Sequence, residues 1–383
     1  MRFEFATTTH IIFGSGTILD VAPMAAKMGK RADVVTGQSL ERAEPLLENL
    51  KQQGIEYVTF SVTGEPTTII AKAGIEQARR AQSDLVIGIG GGSALDTGKV
   101  IAAMLTNIGE LEDYLEVVGR GKPLTQSPVP YIAIPTTAGT GAEVTQNAVL
   151  SVPEHQVKVS LRGPFVSARL AVVDPVLTHS MPPSITASTG LDALTQLMEA
   201  YVSNNANPLT DGICREGLKR AGRSLLQAYE DGSNSTARED MALASLFSGL
   251  ALANAKLGAV HGFAGPLGGM ILAPHGTICA RLLPYVIEAN VQALQKRSPG
   301  SPVLARYDEV AQLLNRSTAT TFDGVEWVRN ICQALKVPPL SKFGLKERDF
   351  SAVVAKAQKS SSMKGNPISL TEDELMEILK KSQ

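Results

Sequence analysis

The sequence predicts an α/β N-terminal domain followed by an all-α C-terminal domain. In the first half of the chain, short apolar and β-branched runs alternate with helical stretches, which is typical of a doubly wound parallel sheet. From Pro183 onward, Ala and Leu recur at helical spacing instead. A chain of 383 residues is too long for one compact core, so we predict two domains, residues 1–180 and 181–383.

The predicted sheet is built from short strands with helices between them. The strands are Ala32–Thr36, Glu56–Phe60, Leu85–Ile89 and Tyr131–Pro135, and the intervening helices are Pro45–Gln53, Ile69–Ala81 and Ala94–Thr106. Leu85–Ile89 carries no polar side chain, as expected of a strand that helices cover on both faces.

The second half is predicted to consist of long helices. They are Ser184–Val202, Asn207–Ala228, Ala237–Leu257 and Ser301–Leu314. A final short helix should open at Thr371, because three acidic residues follow it directly and favour the positive end of the helix dipole.

Composition and charge exclude several classes of function. A net charge of -1 gives no electrostatic basis for binding nucleic acid or a membrane surface. No apolar run reaches the length of a membrane span, and MRFEFATTTH does not resemble a secretory signal. Cys214, Cys279 and Cys332 are odd in number and widely spaced, which indicates reduced thiols. We therefore expect a cytoplasmic protein.

A glycine-rich turn follows the most apolar strand. In Leu85–Ser93 (LVIGIGGGS), three consecutive glycines precede a helix, so the backbone can approach a bulky anion at the helix N-terminus. This chemistry suits a pyrophosphate. The turn is not the usual GxGxxG fingerprint, and a tight strand–helix connection without a ligand is the alternative.

A second strand end strengthens the nucleotide interpretation. Ile134–Thr145 (IPTTAGTGAEVT) presents Thr136, Thr137 and Thr140, whose hydroxyls can donate to phosphate or ribose oxygens. Ligands of open parallel sheets bind at the carboxyl ends of strands, so two such ends indicate a nucleotide site. The alternative is that these threonines only cap the N-terminus of a helix.

Four residues of the second half form a candidate metal site. Asp192 and Gln196 lie four apart on one predicted helix face, and His261 and His275 stand in glycine-flanked segments of a chain with five histidines. Aspartate and histidine together suit Fe²⁺, Zn²⁺, Mn²⁺ or Co²⁺. A single histidine in an apolar stretch is more often a core residue, so the pattern alone leaves both readings open.

With these segments in view, the chain resembles the iron-containing (group III) alcohol dehydrogenases over nearly its whole length. The matching segments are GGGSALDTGK at Gly90–Lys99, IPTTAGTGAEVT at Ile134–Thr145, VVDPVL at Val172–Leu177, MPPSITASTGLDAL at Met181–Leu194, and GAVHGFAGPLGG and APHG around His261 and His275.

The resemblance implies an NAD(P)-dependent oxidoreductase with the architecture shared by dehydroquinate synthase and these dehydrogenases. A nucleotide-binding α/β domain and a helical metal-binding domain would enclose the active site in a cleft. By the resemblance, the pyrophosphate loop contains Gly91, Gly92, Ser93 and Asp96, the threonines Thr136, Thr137 and Thr140 line the cofactor, and Asn147, Lys158 and Leu177 lie towards its ribose and nicotinamide. The implied metal positions are Asp192, Gln196, His261 and His275, and the implied catalytic residues are Asp192, His261 and His275.

Two positions depart from the family pattern. The family usually has histidine where this chain has Gln196, and an amide oxygen is a weaker ligand than imidazole for iron or zinc. Many members also have a histidine, thought to pass protons, where this chain has Gly265. Water or a cofactor ribose hydroxyl would then have to carry the proton.

The residues that follow the predicted strand Ala32–Thr36 bear on the choice of cofactor. A carboxylate there normally binds the ribose hydroxyls of NAD. Here Ala32–Thr36 is followed by Gly37, Gln38 and Ser39, which can admit a 2′-phosphate, and Arg42 is close enough in sequence to pair with it. An ordinary solvated loop is the alternative. We expect NADP to be preferred over NAD, with Gly37 at the cofactor.

The predicted reaction is metal-assisted, reversible hydride transfer between a nicotinamide cofactor and a small primary alcohol or aldehyde, with Fe or Zn weakly bound or absent. Alternatives are a metal-independent reductase similar to maleylacetate reductases, a lyase similar to dehydroquinate synthase, and a nucleotide-binding protein without catalysis. Retention of Asp192 argues against the first of these. We expect a homodimer and no nucleic-acid or membrane partner.

Overall fold

A computed structural model describes residues 2–155 and 157–383, which form two compact units. The α/β unit comprises Thr7–Thr137 and Gly141–His179, and the helical unit comprises Ser180–Gln383 with Ala138–Thr140 and the N-terminal residues up to Ala6. The three residues Ala138–Thr140, which follow a β-strand in the first half of the chain, therefore cluster with the helices.

The α/β unit is built on a parallel sheet. The described strands are β1 (His10–Phe13), β2 (Arg31–Thr36), β3 (Glu56–Ser61), β4 (Leu85–Gly90), β5 (Tyr131–Pro135), β6 (Asn147–Val152), β7 (Val157–Arg162) and β8 (Leu170–Val173). Six of them form one sheet in the order β1-β8-β5-β4-β2-β3, and every pair in it is parallel. The predicted fold class, a parallel α/β domain followed by a helical one, is confirmed.

The interior strands agree with the sequence prediction because their apolar runs are continuous. All six residues of β4 and all five of β5 are buried. The prediction lacked β1 and β8, which have only four residues each and pair with one another across about 160 positions of sequence. It also lacked the antiparallel pair β6–β7, although the residues of β6 alternate between buried and half-buried.

The order of strands creates a switch point between β2 and β4. From β2 the chain moves outward to β3 and then returns to place β4 on the other side of β2. Crevices at such reversals are the usual ligand sites of open α/β sheets. Here the two strand ends are close, since a Cβ at Gly90 would lie 3.1 Å from the amide nitrogen of Gly37.

The helices have the following bounds in chain order. They are α1 (Val21–Ala25), α2 (Glu44–Gln52), α3 (Thr68–Arg80), α4 (Gly92–Met104), α5 (Leu111–Tyr114), α6 (Pro183–Val202), α7 (Pro208–Glu230), α8 (Ser235–Ala255), α9 (Ala259–Met270), α10 (His275–Arg297), α11 (Val303–Leu314), α12 (Thr321–Ala334), α13 (Phe350–Ala357) and α14 (Glu372–Ser382).

The helical unit is organised around α6. Every residue from Gly190 to Val202 is buried, and α6 packs against α7, α8 and α10. Local signals fix the helix ends: Asn207 caps α7 by accepting from the amides of Leu209 and Thr210, and Thr371 caps α14 by accepting from Glu374. The polar side chains of α6 between Gly190 and Val202 are therefore inside the protein, where they need partners.

Among the described residues, no single helix combines the length and apolarity needed to cross a membrane; α8 and α9 meet that test only when joined, and they are bent by 100° where they meet.

Candidate metal centre and nucleotide site

Four donor atoms converge in the helical unit, three of them on buried residues. One ligand atom each of Asp192, His261, His275 and Cys279 lies within 4.8 Å of all the others. Asp192 Oδ1 is 3.3 Å from His261 Nε2 and 3.7 Å from His275 Nε2. The Sγ atom of Cys279 is 3.7 Å from the Nε2 atom of each histidine. The structure thus brings three predicted residues together and adds a cysteine that the sequence analysis had read only as a reduced thiol.

Helix starts position the two histidines. His261 lies in the first turn of α9, and His275 is the first residue of α10, directly after Pro274. Cys279 follows His275 by four residues, so both side chains lie on one face of α10. His275 thus begins a 23-residue helix.

Two glycines let these helix starts approach α6. A Cβ at Gly276 would overlap the carbonyl oxygen of Ser188, one turn before Asp192. A Cβ at Gly258 would lie 2.8 Å from Oε1 of Glu199. A side chain at position 276 would therefore overlap backbone, and one at position 258 would displace the Glu199 carboxylate, so both glycines help to form the cluster.

Glu199 holds the first histidine in place. Its Oε2 atom is 2.6 Å from His261 Nδ1, and its Oε1 atom accepts from the amide of Val260 at 2.6 Å. Because Nδ1 donates its hydrogen to Glu199, the neutral ring presents the lone pair of Nε2 to the cluster. Glu199 was not among the residues predicted from the sequence. The available signal was its position seven residues after Asp192, on the same face of a helix.

Gln196 contacts the cluster through the aspartate. Its Nε2 donates to Asp192 Oδ2 at 3.4 Å. Among the described residues, Asp192 Oδ1 and Gln196 Oε1 are buried and have no hydrogen-bond partner. Orphaned buried oxygens are costly unless a ligand satisfies them, and Asp192 Oδ1 lies beside the two imidazoles. The residues present therefore fit a divalent metal ion.

The cluster is electrostatically coupled. Burial alone would raise the pKa of the Asp192 carboxyl, but the neighbouring His275 and His261 lower it below its usual value. Burial likewise opposes ionisation of Cys279, and the two histidines more than offset that effect and lower the thiol pKa. Without an ion, the negative charges of Asp192 and Cys279 and the positive charges of the protonated histidines therefore stabilise one another.

The glycine turn of the α/β unit has the form of an anion site. Gly91 caps α4 in an extended conformation (φ -75°), and no side chain caps the helix. Neither conformation nor packing requires glycine at this position, since a Cβ would meet only the Thr137 side chain at 3.4 Å. The amide of Thr136 donates to the carbonyl of Gly90 at 2.9 Å, which ties the two predicted strand ends together. The turn leaves room for a bulky ligand at a helix N-terminus.

Other predicted cofactor residues already have protein partners. Asp96 Oδ2 accepts from the amide of Val149 at 2.9 Å, and its Oδ1 is 3.4 Å from Lys99 Nζ. Lys99 also donates to the backbone oxygen of Asn147 at 2.7 Å. The role of Asp96 and Asn147 at a cofactor stays a prediction.

The remaining predicted cofactor residues lie in different elements of the structure. Lys158 in β7 pairs with Glu65 at 2.9 Å, and Leu177 packs on the cluster of apolar residues against one face of the sheet. Gly92 and Ser93 form the first turn of α4. Thr140 clusters with the helical unit. Their contact with a cofactor stays a prediction.

Comparison with known proteins gives one consistent answer. Residues 8–175 match the family model described as iron-containing alcohol dehydrogenase, and residues 186–383 match the C-terminal model of the Fe-containing alcohol dehydrogenase family. Alcohol dehydrogenase 4 of Saccharomyces cerevisiae is 34% identical over 380 residues, covering 97% of this chain and 96% of the yeast protein.

Solved structures agree with these matches. A 1,3-propanediol oxidoreductase superposes with a TM-score of 0.92 at 33% identity and full coverage of both chains. The sulfoacetaldehyde reductase of Bifidobacterium kashiwanohense, solved with NAD+, has a TM-score of 0.88 at 27% identity, covering 100% of this chain and 99% of that one.

Proposed function

Because the chain belongs to the iron-containing alcohol dehydrogenase family, we propose that it catalyses reversible hydride transfer between NAD(P) and a small primary alcohol or aldehyde. The observation that carries the proposal is the convergence of Asp192, His261, His275 and Cys279 on one buried point of the helical unit. Relatives named for alcohols and for 1,3-propanediol support a small hydroxyl or carbonyl substrate.

A divalent ion supplies a Lewis acid for the substrate oxygen, and the nicotinamide cofactor supplies or accepts the hydride. Asp192, His261 and His275 would hold the ion. Glu199 orients the His261 ring, and Gln196 orients the Asp192 carboxylate through its amide nitrogen. The side chain of His275 is 32% exposed while that of Asp192 is 3% exposed, so a substrate would approach from the side of His275.

The cofactor would bind at the switch point of the sheet. The α4 N-terminus at Gly91 would take the pyrophosphate, and the end of β2 at Gly37 would take the adenosine ribose. A Cβ at Gly37 would meet nothing within 4 Å, so the position has room for a 2′-phosphate and offers no acid to repel it. We propose NADP as the preferred cofactor on this ground.

Proton transfer would not use a side chain at position 265. Gly265 lies in α9 four residues after His261, and a Cβ there would meet nothing within 4 Å. Because no side chain occupies this space, we propose that water or a cofactor hydroxyl carries the proton.

The three cysteines are free thiols, which supports action in a reducing cytoplasm. We also propose a homodimer. Strand β1 supports it, because β1 pairs only with β8 among the described residues and leaves an edge that a second copy can cover.

The test is an aldehyde panel assayed with NADPH and NADH, with elemental analysis of the same protein. We expect turnover of short aldehydes that chelation abolishes and a divalent ion restores. Full activity after complete removal of metal would favour the metal-independent reductase. Cofactor binding without turnover of any aldehyde or alcohol would contradict the proposal.

A further inference from the structure

We propose that Cys279 is a metal ligand, so that Asp192, His261, His275 and Cys279 form a zinc-selective centre. This inference rests on the proposed function, because it concerns the same metal site, and it changes the expected donor set. Gln196 becomes a residue that positions Asp192.

Four of the six distances between donor atoms fit the edges of a tetrahedron, and all six are within 4.8 Å. Bonds of about 2.3 Å to sulfur and about 2.0 Å to nitrogen at a tetrahedral angle put the two atoms about 3.5 Å apart. Cys279 Sγ lies 3.7 Å from the Nε2 atoms of both histidines. An oxygen and a nitrogen bound to the same ion would be about 3.4 Å apart. Asp192 Oδ1 lies 3.3 Å from His261 Nε2 and 3.7 Å from His275 Nε2.

The backbone fixes this arrangement. His275 and Cys279 are four apart in the first turns of α10, so one helix face delivers both donors. Close contact of Gly276 with Ser188 holds that face against α6, which carries Asp192. Cys279 and the Oδ1 atom of Asp192 are both buried, so these two donors are shielded from bulk water.

The other two cysteines have no comparable surroundings. Cys332 donates to the backbone oxygen of Ala280 at 3.4 Å, and Cys214 belongs to the apolar core of the helical unit. Neither belongs to a group of donor atoms able to hold an ion within the described part of the chain. They are therefore internal controls for thiol chemistry.

A thiolate ligand changes which metal ion the centre prefers. Thiolate is a soft ligand that favours Zn²⁺ over Fe²⁺ and Mn²⁺, whereas carboxylate and amide oxygens are hard. Cys279 binds as thiolate after its proton leaves to water, so two anionic donors neutralise the divalent charge. The ion would then be a weaker electrophile than one held by a single carboxylate and neutral ligands, and with four protein donors it would take the substrate oxygen as a fifth ligand.

The first experiment reads the sulfur ligand directly. Wild-type protein, Cys279→Ser and the control Cys332→Ser are freed of metal and loaded with Zn²⁺ or Co²⁺. We expect a sulfur shell at about 2.3 Å by zinc X-ray absorption, and a near-ultraviolet sulfur-to-cobalt charge-transfer band. Both signals should be present in wild type and Cys332→Ser and absent in Cys279→Ser.

Bound zinc without a sulfur shell in wild type would overturn the proposal, as would a failure of wild type to take up either ion. Because these signals are read without substrate, they separate this inference from the proposed function. A sulfur shell in a protein that turns over no alcohol or aldehyde would contradict the function and leave the ligand assignment standing.

The second experiment tests the selectivity of the centre for zinc over iron. The double variant Gln196→His/Cys279→Ala replaces sulfur with nitrogen in the donor set. Under anaerobic competition between Zn²⁺ and Fe²⁺, we expect the bound zinc-to-iron ratio to fall at least about tenfold relative to wild type. Circular dichroism checks that the variant is folded. An equal ratio in the two proteins would refute zinc selectivity through Cys279.

Discussion

The carboxylate of Glu199 lies 2.6 Å from Nδ1 of His261, with both side chains buried. This contact fixes which ring nitrogen carries the hydrogen and directs Nε2 towards Asp192 and Cys279. A carboxylate behind a ligating histidine also makes the imidazole a stronger donor. The relationship joins the middle of α6 to the first turn of α9.

The Glu199→Gln variant should therefore weaken metal binding. An amide accepts the Nδ1 hydrogen less strongly, and we expect zinc affinity to fall roughly 10- to 100-fold. A competition titration with a chelating dye measures the change. Glu239→Gln, on the exposed face of α8, is the control and should bind zinc like wild type. Unchanged affinity in Glu199→Gln would mean that Glu199 only caps α9.

Gly265→His should restore a titratable group beside the cluster. The new side chain has open space and lies four residues from His261 on one helix face. We expect the rate to rise by roughly tenfold, with a new dependence on a group titrating near about pH 6.5. Gly265→Gln fills the same space without titrating and should show neither effect. Identical pH profiles for the two variants would exclude proton relay from this position.

Gly91→Val should separate cofactor binding from folding. The extended backbone accepts valine and its Cβ meets only Thr137, so thermal stability should change little. The two added methyl groups occupy the space where a pyrophosphate would approach, so NADPH affinity should fall at least about tenfold. Calorimetric titration measures it.

Gly88→Val, in β4 just before the loop, is a control in which we expect stability to change. A Cβ at Gly88 would overlap the hydroxyl of Tyr131, which donates to Leu95 at 2.8 Å. Overpacking there should cost about 1–3 kcal/mol of stability. Normal NADPH affinity in a folded Gly91→Val protein would contradict the assignment of the loop to pyrophosphate.

Gly37→Asp should reverse cofactor choice. A carboxylate at the end of β2 would repel a 2′-phosphate by on the order of 1–3 kcal/mol and accept hydrogen bonds from the ribose hydroxyls of NAD. The ratio of kcat/KM for NADP to that for NAD should fall by roughly tenfold or more. Gly37→Asn, uncharged and of similar size, should change the ratio less. A wild-type protein that already prefers NAD would show that the residues after β2 had been misread.

Asp33→Asn should remove a pH-dependent loss of stability. Asp33 is fully buried in β2, and burial raises its pKa to about 7 from 3.8, although an interaction with Gln77 opposes the rise. The folded protein then binds more protons than the unfolded chain between these values, so the free energy of unfolding decreases as pH rises from about 4 to about 7.

Replacement by asparagine should flatten that decrease, with a gain of a few kcal/mol at most above about pH 7. Melting of wild type and variant across about pH 5 to about pH 8 measures it. Glu143, whose pKa burial also raises to about 7, acts in the same direction and is common to both proteins. A difference in stability that does not vary with pH would show that Asp33 is not the source.

The local signals in the sequence were sufficient for four of the six strands of the sheet, β2 to β5, and for the glycine turn. Continuous apolar runs predicted β4 and β5, and the residue types at Asp192, His261 and His275 indicated metal chemistry before their positions were known. These signals lie within a few neighbouring residues, so no knowledge of long-range packing was needed. The four-residue strands β1 and β8 were missed because each is too short to carry a pattern.

Tertiary structure alone decided which residues complete the centre. The spacing of His275 and Cys279, and that of Asp192 and Glu199, is visible in the sequence but is equally common among ordinary core residues. Their chemistry depends on α9 and α10 closing onto α6 at Gly258 and Gly276, which brings together residues separated by more than 60 positions. Burial then leaves Asp192 Oδ1 without a partner among the described residues. In this setting Cys279, whose side chain packs like that of a small apolar residue, becomes a candidate ligand.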